Sequence, residues 1–175
     1  MHFLDSYNKN VVKYDLINKF NFVNSNKIPC IECINLKFSF KKYEFKSLIS
    51  ALIALELITG QKSTFITSKT FNVSLKIQKG DPVGCKLVLR KKKMHNFLYQ
   101  LLNRFELNKK ILKNLGENNF SFYSFKIKNV LSFNQLEKNY VFFKNLHNLH
   151  VGIVFSPNLN FKKFKFLLKS YKILV

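Results

Sequence analysis

The sequence predicts an α+β fold: a largely antiparallel β-sheet with helices packed on one face and a polar, basic face on the other. Three observations carry this. Within Ile34–Phe40, Cys85–Arg90 and Val151–Phe155 the inward apolar residues recur with a period of two. Between and around them lie stretches whose apolar residues recur at helical spacing, which gives strands mixed with helices rather than a purely parallel βα repeat. The polar partners in the first two strands are Asn35, Lys37 and Ser39, then Lys86 and Arg90, so one sheet face is apolar and the other cationic.

Taken in order, Leu4–Phe20 reads as a first helix, with Tyr7, Val11, Tyr14 and Ile17 as its packed stripe. Pro29 opens an extended segment in which Ile34, Leu36, Phe38 and Phe40 face one way. Glu44–Thr59 is the most apolar helix, carrying Phe45, Leu48, Ile49, Leu52, Ile53, Leu55 and Ile58, and Gly60 ends it. Its breadth of apolar surface predicts a place between the sheet and another helix. Two strands joined by a long basic loop follow. Val73, Leu75 and Ile77 alternate inside that loop and predict that it extends as a ribbon. A helix over 92–105 sets Met94, Phe97, Leu98, Leu101, Leu102 and Phe105 on one side, with Lys91, Lys92 and Lys93 at its start, where the helix dipole disfavours cations. From Asn108 to Leu149 the pattern weakens. Phe120 and Phe122, then Phe125 and Ile127, predict strand segments with a change of phase, and the Asn- and Lys-rich remainder reads as loops. Val151, Ile153 and Phe155 form a late strand. Asn160 then caps a last helix bearing Phe161, Phe164, Leu167 and Leu168. No internal repeat or linker breaks the chain, so residues 1–175 are expected to form a single domain, with a basic loop about 70–84 and a divergent middle about 108–149.

The bulk numbers narrow the function. Of 175 residues, 30 are Lys or Arg and 9 are Asp or Glu, a formal net charge of +21. Such a field favours a polyanion or an anionic membrane surface. No run approaches the ~18–20 apolar residues that span a bilayer. Twenty Phe, no Trp and only two Arg, Arg90 and Arg104, suggest an AT-biased genome, which accounts for part of the charge. The N-terminal MHFLDSYNKN predicts neither a secretory signal nor an Arg-rich transit peptide, a pattern suited to a protein encoded and used inside an organelle, a mitochondrion first.

Catalytic chemistry finds no constellation. The nine carboxylates (Asp5, Asp15, Glu32, Glu44, Glu56, Asp81, Glu106, Glu117, Glu137) stand singly, with no pair for acid–base work. Phosphate-loop, dinucleotide and nucleophile-elbow motifs are missing. Cys30 and Cys33 in a strand point to opposite faces, and three cysteines make neither a zinc site nor a disulfide framework. His147 and His150, three apart, would share a helix face but have no third ligand near in sequence. No metal and no cofactor is expected. A nucleic-acid binder needs lysines on one surface to neutralise phosphates, and the strand reading supplies them. Exposed Phe residues would stack on unpaired bases.

The most informative stretch is GQKSTFITSKTFNVSLKIQKGDPVGCKLVLR, from Gly60 to Arg90, which sets Lys62, Lys69, Lys76, Lys79, Lys86 and Arg90 against a single carboxylate, Asp81. The order Gly-Gln-Lys, then the GDPVGCKLVLR segment, then a Met-led helix closely resembles the large ribosomal subunit protein 5 family. The similarity runs to about Phe105 and returns faintly at Val151–Leu168.

The resemblance implies a non-catalytic constituent of the large subunit's central protuberance, docked on 5S rRNA or neighbouring large-subunit rRNA. By position, the rRNA-facing residues are Asn35, Lys37, Gln61, Lys62, Lys86, Val88 and Arg90. The family carries Asn at the position of Lys37 and Thr at that of Val88, and its Gly-rich turn is replaced here by Phe38-Ser39-Phe40. The first two changes favour generic phosphate contact over a specific polar network. The family also projects the loop of about Thr70–Asp81 toward peptidyl-site tRNA, which implies contacts from Thr70, Phe71, Asn72, Lys76 and Lys79 on the Gly80-x-Pro82-x-Gly84 hinge. The middle of the chain corresponds to the surface that meets small-subunit ribosomal protein 13 in an intersubunit bridge, beside other central-protuberance proteins. A mitochondrial ribosome in the matrix, with no membrane partner, is the implied setting. Two other classes stay open on the residues alone: a basic peripheral membrane protein, and a free RNA-maturation factor of an organelle.

Overall fold

A computed structural model describes residues 3–22, 24, 27–40, 45–104, 121–146, 148–156, 159–171 and 173. The elements are α1 (Phe3–Tyr7), a π-helical turn (Asn8–Val12), α2 (Lys13–Phe20), β1 (Ile31–Ser39), α3 (Phe45–Thr59), β2 (Thr64–Thr67), β3 (Pro82–Leu89), α4 (Lys91–Arg104), β4 (Phe122–Ile127), a 3-10 turn (Val130–Ser132), α5 (Asn134–Glu137), α6 (Tyr140–Phe143), β5 (Leu149–Phe155) and α7 (Phe161–Ser170). The five strands form one sheet in the order β2-β3-β1-β5-β4. Every neighbouring pair runs antiparallel. β2 pairs with β3 through Thr64↔Lys86 and Phe65↔Cys85. The end of β1 meets the start of β3 (Phe40 N–H to the Val83 carbonyl, 3.0 Å), and the end of β5 meets the starts of β1 and β4 (Ser156 N–H to Cys30, 2.9 Å; Phe155 N–H to Ser121, 2.8 Å). The α+β reading with an antiparallel sheet is borne out.

The chain divides into two compact units, 1–34, 90–123 and 153–175 in the first, 35–89 and 124–152 in the second, and the division falls inside β1, β4 and β5. In the first unit α1 lies against α4, where the buried His95 meets Asp5 (Nε2 to Oδ1, 3.8 Å). Phe164 of α7 packs edge-on against Phe155 of β5 and Tyr123 of β4, with ring centroids 5.3 and 6.4 Å apart. Leu4, Val12, Leu16, Phe97, Leu98, Leu167 and Leu168 complete this core. In the second unit α3 lies against β3 and against α5 and α6. Its core joins Leu36, Phe38, Leu48, Ala51, Leu55, Cys85, Leu87, Phe133, Leu136 and Val151. In both units helices cover the side of the strands that carries the apolar residues.

Several expectations change. The first helix buries Leu4, Val12 and Leu16, while Val11 and Tyr14 of the expected stripe are exposed. Leu4 and Leu16 are twelve positions apart and would stand about a third of a turn out of phase in an uninterrupted α-helix of ~3.6 residues per turn. The π turn between them slows the winding and returns both to one face. α3 packs as expected between sheet and helices, yet Phe45, Ile49, Ile53 and Leu57 line an exposed stripe four residues apart. β4 is a single strand in one phase, with Tyr123, Phe125 and Ile127 buried and Phe122 outward. Phe120 lies outside the described residues. The stretch read as loops holds the 3-10 turn, α5 and α6, whose Val130, Phe133, Leu136 and Phe143 are buried. Four-residue helices are too short to print a periodicity. Asn160 occupies the N-cap position of α7 with extended backbone but makes no side-chain capping bond, and Phe161 is half exposed. α4 runs Lys91–Arg104, which leaves Phe105 outside the described residues. No helix among the described residues is long and apolar enough to cross a membrane.

Candidate nucleic-acid interface

The candidate surface in the second unit begins on β1 and β3. Burial alternates along β1 from Ile34, so Leu36 and Phe38 face the core while Asn35 is half-buried and Lys37 and Ser39 are exposed. On β3, Cys85, Leu87 and Leu89 point inward, and Lys86 and Val88 point outward. Because β1 and β3 are neighbours, Lys37 and Lys86 stand on adjacent strands of one face. Gly84 permits the close approach of these strands: a Cβ there would run into the Phe38 carbonyl oxygen, and would lie 3.3 Å from Ser39 Cα.

Gln61 is brought to this surface by the turn that ends α3. Gly60, at φ 63, closes the helix with its N–H on the Glu56 carbonyl at 2.7 Å. The Gln61 side-chain amide then donates to the Val88 carbonyl at 3.1 Å, so the two expected residues meet directly. Thr64 on β2 faces Lys86 and donates from its hydroxyl to the Lys86 carbonyl at 3.3 Å. Lys62 is exposed in the same turn. Val88, 40% exposed, presents a methyl surface between these polar groups.

Arg90 keeps the exposed phase of Lys86 and Val88. It stands beyond the end of β3, in the first unit, before Lys91, whose φ of 51 turns the chain into α4. There its charge acts on Cys33, whose thiol burial pushes up while Arg90 pulls it down. Lys91, Lys92 and Lys93 are exposed on the first turn of α4.

Sequence reasoning missed the part of the face carried by β5 and β4. His150, expected to share a helix face with His147, lies on β5, because Leu149, Val151 and Ile153 alternate inward around it. His147 is outside the described residues. Lys126 and Ser124 point outward on β4 for the same reason. The alternations Val151–Ile153 and Phe125–Ile127 were the signal that could have found both. Burial, and the charges of Lys126 and Lys37, hold the His150 imidazole below its ordinary pKa. Among the described residues, no carboxylate occupies the outward positions of β1 from Asn35 on, β3, β4 or β5 in this unit.

The loop between β2 and β3 is a folded turn rather than a ribbon. Only Asn72 and Ile77 bridge, exchanging N–H···O bonds of 3.0 and 3.1 Å. Ile77 is buried, which ends the alternation, and the intervening residues close as a turn with Lys76 at φ 52. Asn72 Oδ1 accepts the Leu75 N–H at 3.2 Å and fixes the tip. At the base, Ser68 exchanges backbone bonds with Gly80 and Asp81. The Asp81 carboxylate accepts the Gln78 N–H at 2.7 Å, so the loop's single acid is spent on its own fold. What remains outward is Thr70, Phe71 (65% exposed), Asn72 and Val73 (74% exposed), with Lys69, Lys76 and Lys79.

The three cysteines are free thiols, Cys85 buried against the Leu48 carbonyl at 3.6 Å. Among the described residues no group of three His, Cys, Asp or Glu side chains could hold a metal ion.

No protein-family model matches the chain. Curated relatives do. It is 30% identical over 159 residues to the large ribosomal subunit protein uL5m of Reclinomonas americana, covering 88% of this chain and 87% of that protein. It is 32% identical over 172 residues to uL5 of Ehrlichia ruminantium, covering 95% of each. With uL5 of a Wolbachia strain of Drosophila simulans the identity is 31% over 175 residues, covering 97% of each. Similarity at this level across nearly the whole length, on an antiparallel α+β sheet, means that the chain belongs to the uL5 family of large ribosomal subunit proteins, of the organellar type, as a structural and non-catalytic constituent of that subunit.

Proposed function

We propose that this protein sits in the central protuberance of a mitochondrial large ribosomal subunit and grips 5S rRNA, or neighbouring large-subunit rRNA, through the outward face of its sheet. The observation that carries the reading is the carboxylate-free row of Asn35, Lys37, Lys86 and Val88 on adjacent strands, with Gln61 tied to it through the Val88 carbonyl. Lysines held on rigid strands neutralise phosphates without paying for the ordering of a loop. The turn from Thr70 to Asp81 reaches peptidyl-site tRNA with Lys76 and Lys79 on its backbone and Thr70, Phe71 and Asn72 beside them. Asp81, folded into the base of the turn, leaves those lysines unopposed. The region corresponding to 108–149 meets small-subunit ribosomal protein 13 across the subunit interface.

Ultraviolet crosslinking of the native protein in intact ribosomes, with sequencing of the attached RNA, tests this. Crosslinks from the Lys37 and Lys86 face to 5S rRNA, and from Lys76 and Lys79 to tRNA, are expected. Crosslinks from that face only to large-subunit rRNA would retain the neighbouring-rRNA arm. Absence of any ribosomal RNA would overturn the reading.

A further inference from the structure

The sheet face continues past the residues that resemblance points to. From β3 it runs through β1 to β5 and β4, and three nitrogen-bearing side chains meet on the last three of these strands: Lys37 on β1, His150 on β5 and Lys126 on β4. His150 is on the middle strand, flanked by one lysine on each side. Asn35 and Ser39 are the other outward groups of β1 in this unit, Ser124 that of β4, and Gly152 that of β5. All are uncharged, and Gly152, which is buried, adds no side chain to this face.

We propose that Lys37, His150 and Lys126 form a seat for one RNA phosphodiester, and that His150 takes up a proton from solvent as the phosphate settles there. This rests on the reading of the sheet face as an RNA interface and adds to it a second contact zone and a proton linkage. In the free protein, burial and the two lysine charges favour the neutral imidazole. A phosphate among the three groups reverses the sign of the local field, offsets both lysines and accepts a hydrogen bond from the imidazolium. The proton is bound more tightly in the complex than in the free chain, so lowering the pH must tighten the complex. The imidazole is the group to respond, because histidine is the side chain that changes charge between about pH 5 and about pH 8.

The test uses the full chain and a labelled RNA hairpin of about 20 base pairs, with affinity measured at constant ionic strength from about pH 7.5 to about pH 5.5. The wild type should bind about tenfold tighter at the acid end, and His150→Gln should lose most of that gain while binding within about twofold of the wild type at about pH 7.5. His147→Gln should keep the gain. Calorimetry in two buffers of different ionisation heat should show proton uptake for the wild type and not for His150→Gln. A pH gain unchanged in His150→Gln overturns the proposal whatever its absolute affinity, as does a Lys126→Gln variant that binds like the wild type at every pH. Failure of the underlying reading looks different: Lys37→Glu and Lys86→Glu would leave RNA affinity unchanged at about pH 7.5.

Discussion

Gly84→Ala is the sharpest probe of how the platform is held. The added methyl would overlap the Phe38 carbonyl oxygen and lie 3.3 Å from both the Phe38 carbonyl carbon and Ser39 Cα. All three obstacles are backbone, so no rotamer change relieves them, and β1 and β3 must move apart. Overpacking relieved by backbone shifts costs about 1–3 kcal/mol. Here the displaced strand also carries the 3.0 Å bond from the Phe40 N–H to the Val83 carbonyl, and weakening it adds about 1 kcal/mol. The sum, roughly 2–4 kcal/mol, is a large share of the ~5–15 kcal/mol that keeps a domain folded. With a urea dependence of about 2 kcal/mol per molar, the unfolding midpoint should fall by about 1–2 M. Urea titration followed by far-ultraviolet circular dichroism measures it. Gly80→Ala is the control: its φ of 100 is strained for alanine, but nothing lies within 4 Å of the added carbon. It should cost about 1–2 kcal/mol. A Gly84→Ala midpoint equal to that of the wild type, or above that of Gly80→Ala, would refute the close-approach argument.

Other outcomes follow from single contacts. Lys86→Gln should weaken RNA binding and make the plot of log affinity against log salt shallower by about 0.7–0.9, measured by anisotropy across a salt series. Asn72→Ala removes the acceptor for the Leu75 N–H, so that amide should exchange with solvent several-fold faster while the global midpoint moves by less than ~1 kcal/mol. Burial pushes the Cys85 thiol up to about 11 from an ordinary 9.0. The unfolded chain therefore loses its proton first, and stability is full below about pH 9 and falls toward about pH 11 by on the order of 1.4 kcal/mol per unit. Lysines and tyrosines titrate nearby, so the readout is the difference between wild type and Cys85→Ala, which should shrink by on the order of 2 kcal/mol across that window in alkaline urea titrations.

The strands were legible because each carries its own alternation. Ile34, Leu36, Phe38 and Cys85, Leu87, Leu89 are inward residues of strands covered on one side, and their polar partners fell on the expected face. Arg90 continues the same alternation and is exposed, one residue past the strand's end at Leu89. A period of two cannot announce its own last residue. The first helix failed for a different reason. A π turn changes the repeat without changing composition, so the apolar stripe drawn at α-helical spacing drifted off the core. His150 was misassigned because two histidines three apart suggest a helix, while the stronger cue was the alternation of Leu149, Val151 and Ile153 around it. Contacts between distant segments, such as Gln61 on Val88, have no local pattern at all and appear only when the chain folds.

The departures at Lys37 and Val88 bear on how this surface would recognise RNA. The resemblance aligns Lys37 with an amide that can pair bidentately, whereas an ammonium is a point charge with no preferred partner plane. It aligns Val88 with a hydroxyl, and at 40% exposure the valine offers contact area but no donor or acceptor. Gln61 keeps an amide at the face, but one of its donors is already committed to the Val88 carbonyl, which restricts what it can read. What is left is a field of lysines and one histidine on a rigid frame. Such a surface gains affinity from phosphates and little from base edges. Affinity for hairpins of different sequence should then differ by less than about threefold at fixed salt, while a fourfold rise in salt lowers all of them by far more. Restoring Lys37→Asn and Val88→Thr together should reverse that balance, lowering overall affinity and widening the spread between sequences. A double variant that loses affinity with no change in spread would mean that these two positions do not set the mode of recognition.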